Sequence, residues 1–364
     1  MVSTIVNKYE PDYVSPPGET LLETIESLGM TQIQLAERTG RPPKTISEIV
    51  KGKAAITPDT ALQLEKVLGV PATFWTNREM RYRESLARQK EQERLSDQID
   101  WLKSFPVAEM CKKKWIPCFK DKIQQLHAVL RYFGVASPEA WNDVQHSLQA
   151  DFRQSNAFET NREAIAAWLR KGEIDAKTID CKPYNRSAFF SALLQARNLT
   201  TESPSMFQPK LTELCASVGV AVVFVPELRE TRVSGATRWL DSTKALIQLS
   251  LRYKTNDHLW FTFFHEAGHI YLHGKRDAFI ESHQASECAK ESEANEFSAD
   301  FLIPRAEYEG FTALGSFDKS SVISFAKEIG IAAGIVVGRL QYDKLLRQDH
   351  LNGLKQYYQW NEEH

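Results

Sequence analysis

The amino-terminal part of the chain places apolar residues at helical spacing and interrupts them at short intervals with Gly and Pro. This pattern predicts five short helices between residues 19 and 75. Thr31 and Thr57 stand at expected N-caps, and Gly40 marks the turn between the second and third helices. Two short helices joined by a tight turn and fixed by a third are typical of a helix-turn-helix unit. We therefore predict a helix-turn-helix domain in residues 1–80.

The region from residue 81 to residue 204 keeps helical spacing but shows no grouping of catalytic residue types. Its first part is dense in charge, which indicates a solvated helix or linker helix. Farther along, Trp141 and Trp168 are most simply core residues. We predict a helical linker and middle region here, with the alternative that the region senses a ligand or partner.

After Pro204 the pattern changes to short apolar runs that are rich in β-branched residues. Three such runs, at residues 218–225, 233–239 and 244–251, predict strands. A helix with a long apolar side follows at residues 260–274. The pattern predicts a small antiparallel sheet packed against this helix.

The last fifty residues contain two apolar helical segments separated by a turn at Gly330. Because no strong basic face accompanies them, we interpret the pair as packing for the preceding domain rather than a second DNA-binding unit. The predicted domains after residue 204 are therefore residues 205–310 and a helical extension at residues 311–364. The chain as a whole is predicted to be α+β and mostly helical.

The amino-acid composition places few further limits on the predicted fold and function. The 364 residues suffice for two or three domains, and 45 Lys and Arg balance 47 Asp and Glu, so any nucleic-acid contact must come from a local patch. Five Cys at irregular spacing do not form a disulfide framework, which favours reduced thiols. The sequence shows neither a signal peptide nor an apolar run long enough to span a membrane, and we expect a soluble cytoplasmic protein.

A local basic patch occurs around the predicted second helix of the helix-turn-helix unit. Between residues 38 and 53, five cations accompany a single acid, Glu48. We expect the cations to contact phosphates of double-stranded DNA with salt-dependent affinity. The alternative is an ordinary small helical bundle. The candidate DNA-binding residues are Arg38, Arg41, Lys51 and Lys53, together with Lys44, Thr45, Ser47 and Glu48, which are candidates for the major groove.

The predicted helix at residues 260–274 contains the sequence HEAGH, which places His265 and His269 four residues apart. On a helix, both imidazoles then lie on one face, where they can bind a metal ion. Catalytic zinc takes one further protein ligand and leaves a fourth position for water, whose proton Glu266 would accept. The alternatives are a chance pattern or histidines that are satisfied within the core.

The third ligand is not determined by spacing alone. Three ligands along two turns of one helix cannot surround a tetrahedral ion, so we place His273 behind the ligands rather than among them. Acids cluster farther along, in a segment with helical apolar spacing that ends at Pro304. Glu293, Glu296 and Asp300 all remain possible there.

Two resemblances extend these predictions. The segment from GETLLETIESLGMTQ to VLGVPATFW resembles the Xre/HigA-type antitoxin and repressor family nearly throughout. This resemblance implies operator binding, commonly as a homodimer.

The segments VSGATRW, IQLSLRYKTNDHLWFTFFHEAGHIYLHG and ESEANEFSADFLIP together resemble the ImmA/IrrE metallopeptidase family. The resemblance covers residues 205–310 and implies that Glu293 is the third ligand, with Asn295 as a helper. Ser298 stands where that family usually has Ala. The metal implied is one Zn²⁺ per chain, with Mn²⁺ as an alternative.

Together, these observations predict a DNA-binding regulator fused to a zinc endopeptidase. The resemblance implies a protein substrate, namely a repressor or antitoxin-like partner, or the chain itself. The substrate could add as a strand at the edge of the sheet formed by residues 233–251. The rival hypothesis is a non-catalytic antitoxin or repressor that neutralises a toxin by binding.

Such a peptidase needs a second group that stabilises the developing oxyanion. The sequence does not choose among four conceivable donors. They are Arg252, Tyr253, Tyr271 and His273.

Overall fold

The computed structural model describes residues 14–151, 161–229, 231–273, 279–282 and 289–360. The chain divides into two compact units, Met1–Gln98 and Ile99–His364. In the described part of the chain, no single helix is long and apolar enough to cross a membrane. Taken together, the helices Lys319–Ile329 and Ala333–Tyr342 are long and apolar enough to cross a membrane by length and composition alone, but the pair is bent by 113°.

The first unit is helical, and its core confirms the predicted helix-turn-helix. Thr31 and Gln34 form a reciprocal capping box at the start of the second helix, and Gly40 ends that helix with a positive φ of 68°. The side chains of Leu35, Ile46 and Trp75 are fully buried in one apolar cluster. The helices are α1 (Pro17–Ser27), α2 (Gln32–Thr39), α3 (Pro43–Val50), α4 (Pro58–Leu68) and α5 (Ala72–Ser96).

The fifth predicted short helix and the predicted solvated helix are one element, α5. It starts with the buried Trp75 and continues through the charge-dense stretch to Ser96. Salt bridges at helical spacing, such as Arg88 to Glu84 at 2.6 Å, line its exposed side.

The second unit contains the remaining helices and one four-stranded sheet. Its helices are α6 (Val107–Lys112), α7 (Lys122–Phe133), α8 (Pro138–Asp151), α9 (Arg162–Thr178), α10 (Arg186–Asn198), α11 (Pro204–Ala216), α12 (Asn256–Leu272), α13 (Ala289–Leu302), α14 (Arg305–Ala313), α15 (Lys319–Ile329) and α16 (Ala333–Tyr342). Its strands are β1 (Val220–Phe224), β2 (Val233–Trp239), β3 (Ala245–Leu249) and β4 (Phe279–Ser282).

The sheet is mixed, so the prediction of an antiparallel sheet is wrong for one pair of strands. The strand order is β1-β3-β2-β4, in which β1 pairs parallel with β3 while β2 pairs antiparallel with β3 and with β4. After β1, the chain skips the neighbouring strand position, which β3 later occupies. As a result, β2 lies on the far side of β3 from β1. Since each strand reverses direction, the first and third strands become parallel neighbours.

From Ile99 onward, the predicted middle region is part of the second unit, whereas its first residues belong to α5 of the first unit. Trp168 of α9 donates its Nε1–H to the carbonyl of Val225 at 3.0 Å, and Gln248 of β3 donates to the carbonyl of Trp168 at 2.7 Å. Gly172 allows this approach, because a Cβ at that position would lie 1.8 Å from the Gln248 side chain. The predicted boundary at residue 204 therefore falls within packed structure.

All five residues of β3 are buried because helices cover both faces of the sheet. Gln248 points toward α9, whereas Ile247 and Leu249 belong to the core cluster that contains Trp260 and Phe263 of α12. Packing against the central strand thereby fixes the position of α12 on the sheet.

The carboxyl-terminal segment fixes the start of α12. Lys355 makes a buried salt bridge to Asp257 at 2.7 Å. The backbone N–H of Asn256 donates to the backbone carbonyl of Gln356 at 2.9 Å. Gly338 of α16 lies against Asp257, where a Cβ would come within 2.5 Å of the carboxylate. The predicted pair of helices around Gly330 is confirmed, and its role as packing for the preceding elements fits these contacts.

Cys111 and Cys118 form a disulfide, contrary to the expectation of reduced thiols. Cys111 lies near the end of α6, and Lys114 has a positive φ of 57° in the turn that follows. This turn brings the two Cα atoms to 5.5 Å, within the range that a disulfide requires.

Candidate metal site and helix-turn-helix surface

The HEAGH sequence lies on α12, and one side of this helix packs into the core. Phe263, Phe264 and Ala267 are fully buried against the sheet and neighbouring helices. His265 and His269 lie on the other side, with side chains only 2 % and 0 % exposed. Their Nε2 atoms are 3.0 Å apart, as the predicted spacing on one helical face requires.

The acid that the structure brings to these imidazoles is Glu291 of α13. Its carboxylate oxygens lie 3.2 Å from Nε2 of His265 and 3.6 Å from Nε2 of His269. Among the described residues, these three side chains form a group whose ligand atoms all lie within 4.8 Å of one another.

Glu293, the ligand predicted from the family resemblance, does not occupy this position. Its side chain is 60 % exposed and contacts His273 instead. Residues separated by two positions in a helix lie about 200° apart around its axis. Glu291 and Glu293 therefore cannot both face the same ion. Glu291 belongs to the same cluster of acids but was not among the candidates Glu293, Glu296 and Asp300 that spacing left open.

The donor set fits a zinc ion. Two ligands about 2.1 Å from a tetrahedral zinc lie about 3.4 Å apart. The distances of 3.0, 3.2 and 3.6 Å between the Nε2 atoms and the Glu291 oxygens are close to this value. Two imidazoles and one carboxylate are also the ligand types of catalytic zinc sites.

Burial and hydrogen bonding prepare these ligands for a cation. Burial lowers the pKa of His269 to about 4 and outweighs the opposing effect of the hydrogen bond that Glu291 accepts from it. Burial raises the pKa of Glu291, but hydrogen bonds to His265 and His269 outweigh it and lower that pKa to about 2. At neutral pH the site therefore offers a neutral imidazole and a carboxylate, the forms that bind metals.

The outer nitrogens of both imidazoles are held by further side chains. Nδ1 of His265 lies 3.0 Å from Oδ1 of Asn295, and Nδ1 of His269 lies 3.0 Å from Nδ1 of His273. Asn295 and His273 thus contact the outer nitrogens of the two imidazoles. Such contacts orient metal-binding histidines.

Glu266 is fully buried beside β2. Gly235 permits this packing, because a Cβ there would lie 2.7 Å from Oε1 of Glu266 and 2.6 Å from Thr262. Thr237 donates its hydroxyl hydrogen to the Glu266 carbonyl at 3.2 Å. The strand thus holds the helix at the residue that the motif assigns as the base.

Tyr271 and Arg252, also predicted near the site, have other contacts. The Tyr271 ring packs against Phe297 and Phe190, and Arg186 lies over it. Arg252 donates to the Arg232 carbonyl and lies over the ring of Tyr253. The structure joins neither residue to the metal ligands.

The predicted DNA-binding residues lie on α2, in the turn between α2 and α3, on α3 and in the turn after α3. Arg41 is half-buried and donates to Gln63 of α4 at 2.6 Å, which ties it to the fold. Lys44 lies 3.9 Å from Glu48, one helical turn away. Arg38, Lys44, Lys51 and Lys53 are exposed, and Thr45, Ser47 and Glu48 are half-buried.

Comparison with known protein families matches two parts of the chain. Residues 21–75 match the helix-turn-helix family, and residues 221–340 match the M78 peptidase family, described as an IrrE N-terminal-like domain. The second match contains α12, α13 and the metal site.

Similar individual proteins align with only part of the chain. An uncharacterized HTH-type transcriptional regulator of Escherichia coli, YddM, is 33 % identical over 61 residues, which are 17 % of this chain and 65 % of that protein. This chain thus matches about two thirds of that regulator's length. The virulence-associated protein I of Dichelobacter nodosus is 36 % identical over 77 residues, which are 21 % of this chain and 71 % of that protein.

Among solved structures, an addiction module antidote protein of the HigA family from Coxiella burnetii shares 33 % identity. The alignment covers 23 % of this chain and 92 % of that one, with a TM-score of 0.22. By the two family matches, the chain belongs to the helix-turn-helix family of DNA-binding regulators through residues 21–75 and carries an IrrE N-terminal-like domain of the M78 peptidase family at residues 221–340.

Proposed function

We propose that this regulator is a zinc-dependent endopeptidase whose metal ligands are His265, His269 and Glu291. The observation that carries the proposal is the convergence of these three buried or half-buried side chains, two of which belong to an HExxH motif in which Glu266 follows the first histidine. Zinc bound there would supply an activated water and polarise the scissile carbonyl.

Glu266 acts as the general base and acid in this proposal. Glu266 directly follows His265 on α12, and its burial excludes competing bulk water. The carboxylate accepts a proton from the attacking water and passes it to the amine that leaves. Thr237 and Gly235 support this role, because they fix the helix and leave room for the carboxylate.

The substrate is proposed to bind as an extended segment. The outer edge of β2 pairs with β4, so a substrate strand cannot add there while β4 is in place. In the part of the chain that the structure describes, the other edge of β4 pairs with no strand. The other edge strand is β1, and we propose addition to β4 because β4 pairs with β2, whose Gly235 lies against Glu266. We propose a repressor or antitoxin-like protein, or a second copy of this chain, as the substrate.

Replacement of Glu291 by Gln tests the ligand set. We expect Glu291→Gln to lower zinc affinity by more than the roughly 10–100-fold that loss of an outer contact costs, because it removes a ligand charge. Glu293→Gln should lower it much less, since that carboxylate lies outside the ligand group. Competition with a chromogenic chelator measures both affinities. A larger loss in Glu293→Gln would contradict the assignment of Glu291.

For the amino-terminal unit, we propose binding to an operator through α3 and the turn after it. The support is the exposed row of Lys44, Lys51 and Lys53 on a helix-turn-helix fold. Homodimerisation is part of this proposal, because paired half-sites need paired helices.

We expect Lys44→Ala to weaken binding of the protein's own promoter and to reduce the slope of log affinity against log salt by about 1, as loss of one phosphate contact predicts. A shift assay over a salt series measures this. Lys66→Ala is the matched control, since Lys66 is exposed on α4, away from the proposed contact helix. Equal slopes in the two variants would remove Lys44 from the interface.

A further inference from the structure

Two metal ligands make outer contacts of different kinds. His265 contacts an amide oxygen, that of Asn295, directly. His269 instead contacts a third histidine, His273, whose Nε2 lies 3.1 Å from an oxygen of Glu293. The His273 side chain is only 4 % exposed, whereas Glu293 lies at the surface. A continuous series of polar contacts thus joins the surface carboxylate to a buried metal ligand.

The direction of the hydrogen bonds in this series follows from the chemistry of each group. Nε2 of His269 faces the other ligands and must offer a lone pair to a metal, so its proton lies on Nδ1. Nδ1 of His269 then donates to Nδ1 of His273, which must be the unprotonated nitrogen of that ring. The proton of His273 lies on Nε2 and is donated to the Glu293 carboxylate, which can only accept.

We propose that Glu293 and His273 form a positioning relay that fixes the ring orientation and tautomer of His269 and thereby sets the zinc affinity of the site. This inference rests on the proposed metal site but not on catalysis. Glu293 acts only through His273, because its exposed carboxylate is directed to the outer nitrogen of that ring. An anchoring carboxylate also raises the basicity of the ligand at the end of the series.

The relay explains why an acid two residues from the ligand Glu291 is directed away from the ion and still contacts a histidine of the site. Glu291 binds from the inner side of the first turn of α13, while Glu293 reaches His273 at the end of α12. The same short segment of α13 therefore supplies one ligand and the anchors of both imidazoles, since Asn295 also belongs to it.

Zinc affinity of the full-length chain tests the relay by a double-mutant cycle. We expect His273→Ala to weaken zinc binding by about 10–100-fold and Glu293→Gln to weaken it by an amount at the lower end of that range. The double variant should equal His273→Ala alone, because Glu293 has no route to the metal site without His273. Glu296→Gln, another exposed acid on α13, is the matched control and should leave the affinity unchanged.

His273→Asn separates positioning from general packing. An Asn amide oxygen can accept from Nδ1 of His269 near the place of the lost ring nitrogen but does not extend to Glu293. We expect His273→Asn to weaken zinc binding about as much as Glu293→Gln and less than His273→Ala, with no further effect of Glu293→Gln in that background. Circular dichroism and melting of each metal-free variant show whether it is folded.

Several outcomes would overturn the relay. A Glu293→Gln effect that persists in the His273→Ala background, or an equal effect of Glu296→Gln, would show that only the net charge matters. Unchanged affinity in folded His273→Ala would overturn it as well. A wild-type chain that binds zinc with this coupling but cleaves no protein would refute the proposed peptidase activity and leave the relay intact.

Discussion

Glu266→Gln is expected to abolish cleavage while zinc remains bound. The substitution keeps the size of the side chain but removes the group that accepts and returns a proton, a contribution of roughly 10²–10⁴-fold to the rate. Because Glu266 is not among the three grouped ligand side chains, zinc content should stay at one ion per chain. The measurement compares metal content and cleavage of candidate substrates, including the chain itself and its co-encoded partners, in wild type and variant.

The zinc-retaining variant also separates the two hypotheses for this family of regulators. If wild type cleaves a partner and Glu266→Gln does not, the peptidase proposal stands. If both proteins bind a toxin and protect cells from it equally well, the domain acts by binding and the catalytic proposal fails. Glu266→Gln is informative only if it folds, which its melting temperature checks. Thr262→Ser, on the preceding turn of the same buried helix, is a control that leaves the carboxylate in place.

Local sequence signals predicted those parts of the molecule that depend on neighbours in the chain. The helix-turn-helix followed from caps and Gly stops such as Thr31 and Gly40, because these act within one turn. The positions of His265 and His269 on one face followed from their spacing, because a helix fixes the geometry of residues four apart.

Features that depend on distant segments were not visible in the sequence. Which acid of α13 faces the imidazoles depends on how α13 is rotated against α12, and the sequence pattern of one helix does not contain that rotation. The mixed sheet arose likewise from the path of the connection between β1 and β2, which periodicity does not report. The burial of the polar Gln248 in β3 is a third case, since it depends on α9, whose Trp168 carbonyl accepts the Gln248 hydrogen bond.

The packing of α9 against the sheet leads to a second large expected effect, that of Gly172→Ala. The added Cβ would lie 1.8 Å from Oε1 of Gln248 and 2.3 Å from its Cδ. Gln248 is only 1 % exposed and cannot move into solvent, and its amide is already committed to the Trp168 carbonyl. Either the helix shifts from the strand or this buried hydrogen bond breaks.

We expect Gly172→Ala to lower the free energy of unfolding by about 1–5 kcal/mol. Overpacking of about 1–3 kcal/mol and a lost buried hydrogen bond of similar size are offset by a helix-propensity gain of up to about 1 kcal/mol. Gly310→Ala is the matched control, because Gly310 is exposed within α14 and a Cβ there meets nothing within 4 Å. That change should be neutral or stabilise by up to about 1 kcal/mol, as Ala favours helix more than Gly does. Denaturant unfolding followed by far-ultraviolet circular dichroism measures both.

The same pair of variants tests whether the middle region and the metal-binding region fold together. Because α9 covers one face of β3 while α12 covers the other, displacement of α9 should loosen the helix that carries His265 and His269. Gly172→Ala should therefore lower both zinc affinity and stability, whereas Gly310→Ala should lower neither. If Gly172→Ala unfolds residues 161–204 separately and leaves zinc binding intact, the middle region is an independent domain, as the sequence first suggested.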